Sequence, residues 1–253
     1  MNKLQFIFAA ALFAASGSLH AANPSPSVSG VKMGVNPITD NALFVKQIFQ
    51  DLYGRVPYPA EMAATLDGLK EGTSTRAQVA ASLFNSAEFH DNAGFLVKCY
   101  TALLQHDSDF AQWSQILKAM QSGASQDSAL AAFMGTPEYA AAYPDAMSDG
   151  AFVTKLHQKL LGRDPESAEL DSWAVKLAQG ARRPAVVEAF LRSPEFEMRV
   201  ASRVNTSLAY LAFLRRAGEA AAIDRWTDKL NSGASVADLI GDFISLPEYA
   251  ARF

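Results

Sequence analysis

Apolar residues fall at helical spacing through nearly all of the chain beyond residue 40, and the alternation of β-branched and polar residues that marks strands is missing. The stretch around Phe152 shows the pattern: Phe152, Val153, Leu156, Leu160 and Leu161 form one stripe of a 3.6-residue period. Gly162 stops that helix as a residue that accepts the left-handed conformation. Asp164-Pro165-Glu166 predicts the start of a second helix, with an N-cap oxygen, a proline in the first turn and a carboxylate at the positive helix end. Leu170, Trp173 and Leu177 line its inner side, and Gly180 ends it. Capping-box spacing opens a third helix at Thr75/Gln78 and at Ser235/Asp238. Ser193-Pro194-Glu195-Phe196 then predicts a chain reversal that caps one helix and restarts another. The fold class predicted is all-α.

The same wording recurs. An apolar stretch, a glycine (Gly72, Gly123, Gly180, Gly233) and an acidic–aromatic pair (Glu88-Phe89, Glu138-Tyr139, Glu195-Phe196, Glu248-Tyr249) appear four times. The spacing predicts four tandem three-helix repeats of about 50–57 residues, which must share a core because units this small cannot bury both faces alone. Boundaries fall at 41–92, 93–147, 148–199 and 200–253. The expected packing is a helical array or two lobes divided near Pro144 to Gly150. The third and fourth units agree best: Arg163 falls on Arg216, Trp173 on Trp226 and Leu177 on Leu230. In the second, Gln105-His106 stands where the others have Gly-Arg or Arg-Arg.

Ahead of the repeats, Lys3, the apolar run Leu4 to Ala15 and the small residues ending in Ala21-Ala22 read as a secretory signal peptide over 1–22, cut after Ala21 or Ala22. Residues 23–40, rich in Pro, Ser and Gly, read as a flexible leader. The expected location is periplasmic or secreted. No later run is long and apolar enough for a transmembrane segment in the mature chain. A net charge of −4 argues against nucleic acid as a partner. Cys99 is the single cysteine, so no internal disulfide forms, and its place in FLVKCYTALL reads as core.

With LLGRDPESAELDSW, KLAQGA and FLRSPEF in view, the chain resembles the repeat of bacterial exported proteins known as domain of unknown function 4214, in four copies from Leu43 to Tyr249. The unit is also distantly similar to the linker domain of cyanobacterial phycobilisomes. The first resemblance implies an exported or surface-associated setting, and both imply a scaffold for proteins or polymers. Neither implies a catalytic activity.

Candidate chemistry is sparse. Glu88, Glu138, Glu195 and Glu248 read as first-turn carboxylates rather than catalytic acids, since a cap is needed four times and a catalyst is not. Arg55, Arg163 and Arg216 could grip an anionic polysaccharide, or could cross to Glu61 or Glu169 within the unit. The acidic run Asp164, Glu166, Glu169 and Asp171 invites calcium but lacks the order of an EF-hand loop. His90, His106 and His157 lack the spacing of a zinc site, and Trp113, Trp173 and Trp226 sit at core spacing rather than on a sugar-stacking face. No catalytic, metal-binding or cofactor-binding residue is assigned, and no cofactor is implied. The sequence thus predicts a non-enzymatic interaction or structural module, its partner an unknown protein or surface polysaccharide. The alternatives are an envelope enzyme acting on glycan or peptide through surface carboxylates, or a calcium-responsive surface module.

Overall fold

The computed structural model describes residues 36–253; the signal peptide and most of the leader lie outside the described residues. Asp40 accepts from the Leu43 N–H and starts α1 (Asn41–Tyr53), which Gly54 ends in the left-handed conformation. Then come α2 (Pro59–Lys70) and α3 (Arg76–Phe84), the latter opened by the reciprocal Thr75/Gln78 box. From α4 (Ala87–Phe89) the chain runs without a break through a π-helical stretch His90–Gly94, α5 (Phe95–Cys99) and a second π stretch Tyr100–Leu104. Next are α6 (Phe110–Gln121), α7 (Gln126–Met134) and the short α8 (Pro137–Ala142).

The plan then repeats. α9 (Asp149–Leu156) passes into a π stretch His157–Leu161 and is followed by α10 (Ser167–Ala178) and α11 (Arg183–Leu191). α12 (Pro194–Ala209), continued by the π stretch Tyr210–Leu214, is the second long rod; α13 (Ala220–Asn231), α14 (Val236–Ser245) and α15 (Pro247–Ala250) complete the chain. Among the described residues there is no strand, and the fold is all-α.

One apolar cluster extends from Phe44 to Tyr249 and takes in residues of every unit. It forms because the third helices retain apolar faces that need partners from outside their own unit. α3 packs against α14, joining the start of the chain to its end, and α7 packs against α11. The two long rods cross between them, α12 touching α5 and His90–Gly94. A Cβ at Gly241 would lie 3.3 Å from the Cβ of Ala77, which shows how closely α3 and α14 approach. Polar ties follow the same route: Lys98 to Glu197, Asp107 to Arg203 (3.0 Å) and to the Ser207 hydroxyl (2.7 Å), and Arg252 to Asp51. The halves therefore interlock. This corrects the two-lobe expectation, since two lobes would separate near Pro144.

Three further readings need correcting. The leader does not stay flexible to residue 40. Asn36 caps a turn through the N–H groups of Ile38 and Thr39, Ile38 packs on the core, and Arg76 binds the carbonyls of Pro37 and Ile38. Asp164 is not an N-cap: α10 starts at Ser167, where the Glu169 carboxylate reaches back to the Glu166 N–H (2.8 Å) and fixes the start two residues later. Leu170, Trp173 and Leu177 pack on the core but stay partly exposed, since α10 lies at the periphery. Trp113 and Trp226 are buried, and Trp173 stacks on Phe190.

Where the first helix of each unit ends, Gly54, Gln105, Gly162 and Arg215 all have positive φ (66°, 59°, 71° and 55°). Turn geometry is thus kept even where glycine is lost. Holding a side chain in this region costs on the order of 1 kcal/mol. Gln105→Gly is therefore expected to add about 1 kcal/mol of stability, seen as a higher urea midpoint at unchanged slope. No gain would show that the backbone at Gln105 is unstrained.

Candidate functional site

The ionisable residues that recur from unit to unit meet at one kind of place, the turn after each first helix. Arg163 forms a two-pronged pair with Glu169 (Nη1–Oε2 2.8 Å, Nη2–Oε1 2.7 Å) and a second with Glu195 (Nε–Oε1 2.7 Å, Nη2–Oε2 3.0 Å). Arg55 repeats this with Glu61 (2.7 and 2.9 Å) and, more loosely, with Glu88 (3.3 Å). In the fourth unit Ala222 stands where a second acid would be, and Arg216 binds Glu248 alone (2.6 and 3.0 Å). In the second unit His106 takes the arginine's place and its Nε2 lies 2.5 Å from Glu138. Each of these arginines also donates to the next residue's carbonyl, at Val56, Asp164 and Ala217, and His106 Nδ1 lies against that of Asp107.

The carboxylates Glu88, Glu138, Glu195 and Glu248 do sit in the first turn of their helices, as the sequence predicts. What the sequence reading misses is that each is also the partner of the arginine or histidine one motif earlier. The signal was present: the two residues stand 32 apart in three units and 33 apart in the first. A carboxylate has two oxygens and can serve a helix end and a guanidinium together.

A second recurring clamp holds the entry to the first and third units. Arg76 donates to Asn41 (2.9 Å) and lies 4.9 Å over the ring of Phe44. Arg183 donates to Asp149 (3.1 Å) and lies 4.8 Å over Phe152.

The acids of the calcium proposal do not converge. Asp164 accepts from Gln158 (2.8 Å) and Glu169 is engaged by Arg163, and among the described residues no group of three His, Cys, Asp or Glu side chains is placed to hold a metal ion. Nor do the histidines meet. His90 lies edge-on to Phe84 and Phe89, and burial lowers its basicity. His157 is buried, with Nδ1 donating to the Val153 carbonyl (2.9 Å). Cys99 is fully buried, and burial pushes its thiol up, away from the reactive thiolate. A cavity of about 540 Å3 opens where the first and fourth units meet, walled mainly by Ile38, Phe44, Ala77, Ile244 and Tyr249. Arg76, the charged residue among its described walls, is engaged through Nε by Asn41 and through Nη1 by two carbonyls.

Comparison with known families gives one match: the family described as Domain of unknown function (DUF4214) covers residues 32–93 and 130–200, more than half of the chain. The chain belongs to this family. The matched segments of this DUF4214 protein contain the Arg55–Glu61–Glu88 and Arg163–Glu169–Glu195 groups, which are the two fullest versions of the pair. No curated protein and no solved structure matches the chain, and the expected likeness to the phycobilisome linker domain finds no support there. Among the described residues no helix is long and apolar enough to cross a membrane.

The pairs give this DUF4214 chain a defined acid response. Arginine holds Glu61, Glu195 and Glu248 below the usual carboxylate range. Glu169 falls to about 2, with Arg163 the main cause and the Glu166 N–H the next. A depressed carboxylate adds stability above its unfolded value and loses it as pH falls through the folded one. Arg163→Met is therefore expected to lose less melting temperature than the parent between about pH 5 and pH 2. Equal losses would show that the Arg163 pairs carry none of the acid sensitivity.

Proposed function

We propose that this protein is an exported, non-enzymatic helical-repeat module that holds protein or surface-polysaccharide partners at the bacterial envelope or outside the cell. One observation carries the reading: the ionisable residues repeated in all four units are used up in holding turns to helix ends. An enzyme acting through carboxylates would need a pair left free and facing a cleft. Export rests on the sequence around Lys3 and the run to Ala22.

The test uses the mature chain as bait against envelope extract from its own source, with protein and glycan fractions kept apart, alongside turnover assays on glycan and peptide substrates. Saturable binding of a defined partner without turnover supports the module. Turnover that is lost on substituting an exposed carboxylate would replace it with the enzyme. A melting temperature lowered by chelator would point to calcium instead.

A further inference from the structure

His106 stands where three other units have arginine, and it makes the two contacts that all three arginines share. Nδ1 faces the Asp107 carbonyl at 3.0 Å and Nε2 faces the Glu138 carboxylate at 2.5 Å. Both neighbours are acceptors. A neutral imidazole carries one N–H and one lone pair, so whichever tautomer it adopts, one ring nitrogen points its lone pair at an oxygen. Only the imidazolium, with two N–H groups, satisfies both contacts as a guanidinium does. The ring is 43% exposed, so protons reach it freely.

We propose that the His106–Glu138 pair is a pH-responsive latch: the imidazolium clamps the start of α8 to the end of the rod Ala87–Leu104, and loss of its proton releases that clamp. Arg55, Arg163 and Arg216 keep their charge throughout, so of these four turn contacts only the second unit's responds. The position gives the latch reach. α8 leads into Tyr143, whose hydroxyl donates to the Leu103 carbonyl (3.2 Å) and whose ring meets Phe152 of the following unit (6.0 Å). Lys155 binds the last carbonyl of α8, at Ala142. Loosening α8 therefore loosens the passage between the two halves of the chain.

The other groups around the ring do not reverse this. Tyr100 packs on it at 5.3 Å, and burial pushes that phenol up to about 12, so it stays neutral. Asp107 is tied by Arg203 and Ser207 from α12, Asp109 caps α6 through the Gln112 N–H, and Lys159 is held at Gln105. Partial burial lowers the basicity of His106, but the Asp107 carbonyl and the Glu138 carboxylate outweigh it and leave the ring more basic than a free histidine. A histidine raised in the folded state adds stability that is complete below its unfolded value near 6.5 and lost as pH rises through the folded one.

The test is hydrogen exchange of the amides between Pro137 and Tyr143 in the mature chain at about pH 5.5 and pH 8.5, corrected for the intrinsic rate at each pH. The parent is expected to open about 2- to 5-fold more at the higher pH, the range typical of an exposed ion pair. His106→Arg should remove the difference, and His106→Gln should show the open behaviour at both. His90 and His157 are common to all three and cancel in the comparison. An NMR titration of the His106 ring should place its midpoint above that of a free histidine, and Glu138→Gln should bring it down. Equal pH responses in parent and His106→Arg, or a His106 midpoint at or below that of a free histidine, overturn the latch.

Discussion

Phe213→Ala is expected to cost about 3–5 kcal/mol, the usual price of emptying a buried phenylalanine site. The ring is fully buried. It lies 6.1 Å from Phe84 of the first unit and 6.3 Å from Tyr249 of the fourth, so both sides of the closure lose contact together. Collapse around the gap is limited because rigid helices hold these neighbours. For a chain of this size the loss lowers the melting temperature by on the order of 10 °C. The measurement is urea unfolding followed separately by probes in the first and third units. Coincident loss in both is the expected result. If the third unit kept the parent's midpoint, the halves would be folding independently and the interlocked core would be wrong.

Arg252→Ala is expected to cost about 3 kcal/mol, because it strands the buried Asp51 carboxylate. Arg215 stands 3.5 Å from the same oxygen, but it is half-exposed and compensates only in part. Arg252 also donates to the Phe213 carbonyl (2.6 Å). Burial raises the Asp51 carboxyl, and Arg252 is the chief influence opposing it. An acid raised in the folded state weakens that state once it ionises, so the penalty in Arg252→Ala should shrink as pH falls from about 7 to about 4. Adding Asp51→Asn should recover most of the loss at pH 7. A double variant no better than the single one would mean that the cost lies in the lost carbonyl contact and packing, not in the stranded charge.

Much of this architecture is legible in the residues. Helix starts are local: Asp40, Thr75 with Gln78, and Ser235 with Asp238 each cap the helix that follows them. The apolar stripes predict which side chains turn inward, down to Trp113 and Trp226. What stays hidden depends on residues far apart or on the absence of a feature. Nothing in the run from Glu88 to Leu104 announces one unbroken rod; Gly94 stays helical and leaves room where Leu208 of the other rod lies against it. Small residues at Ala77 and Gly241 allow the first and last units to meet, and smallness carries no address in a chain already rich in alanine. Glu195 is legible as a first-turn acid, but its bond to Arg163 joins residues 32 apart, and only the recurrence of that spacing hints at it.

The meeting of α3 with α14 also bears on how such a chain can change its length. An open stack of repeats can gain or drop a member, because each newcomer needs only one neighbour. Here every seat is taken. A fifth unit would have to force α3 and α14 apart and would leave a bare apolar flank on each. Duplication within this chain would therefore yield a second complete assembly beside the first rather than a longer one.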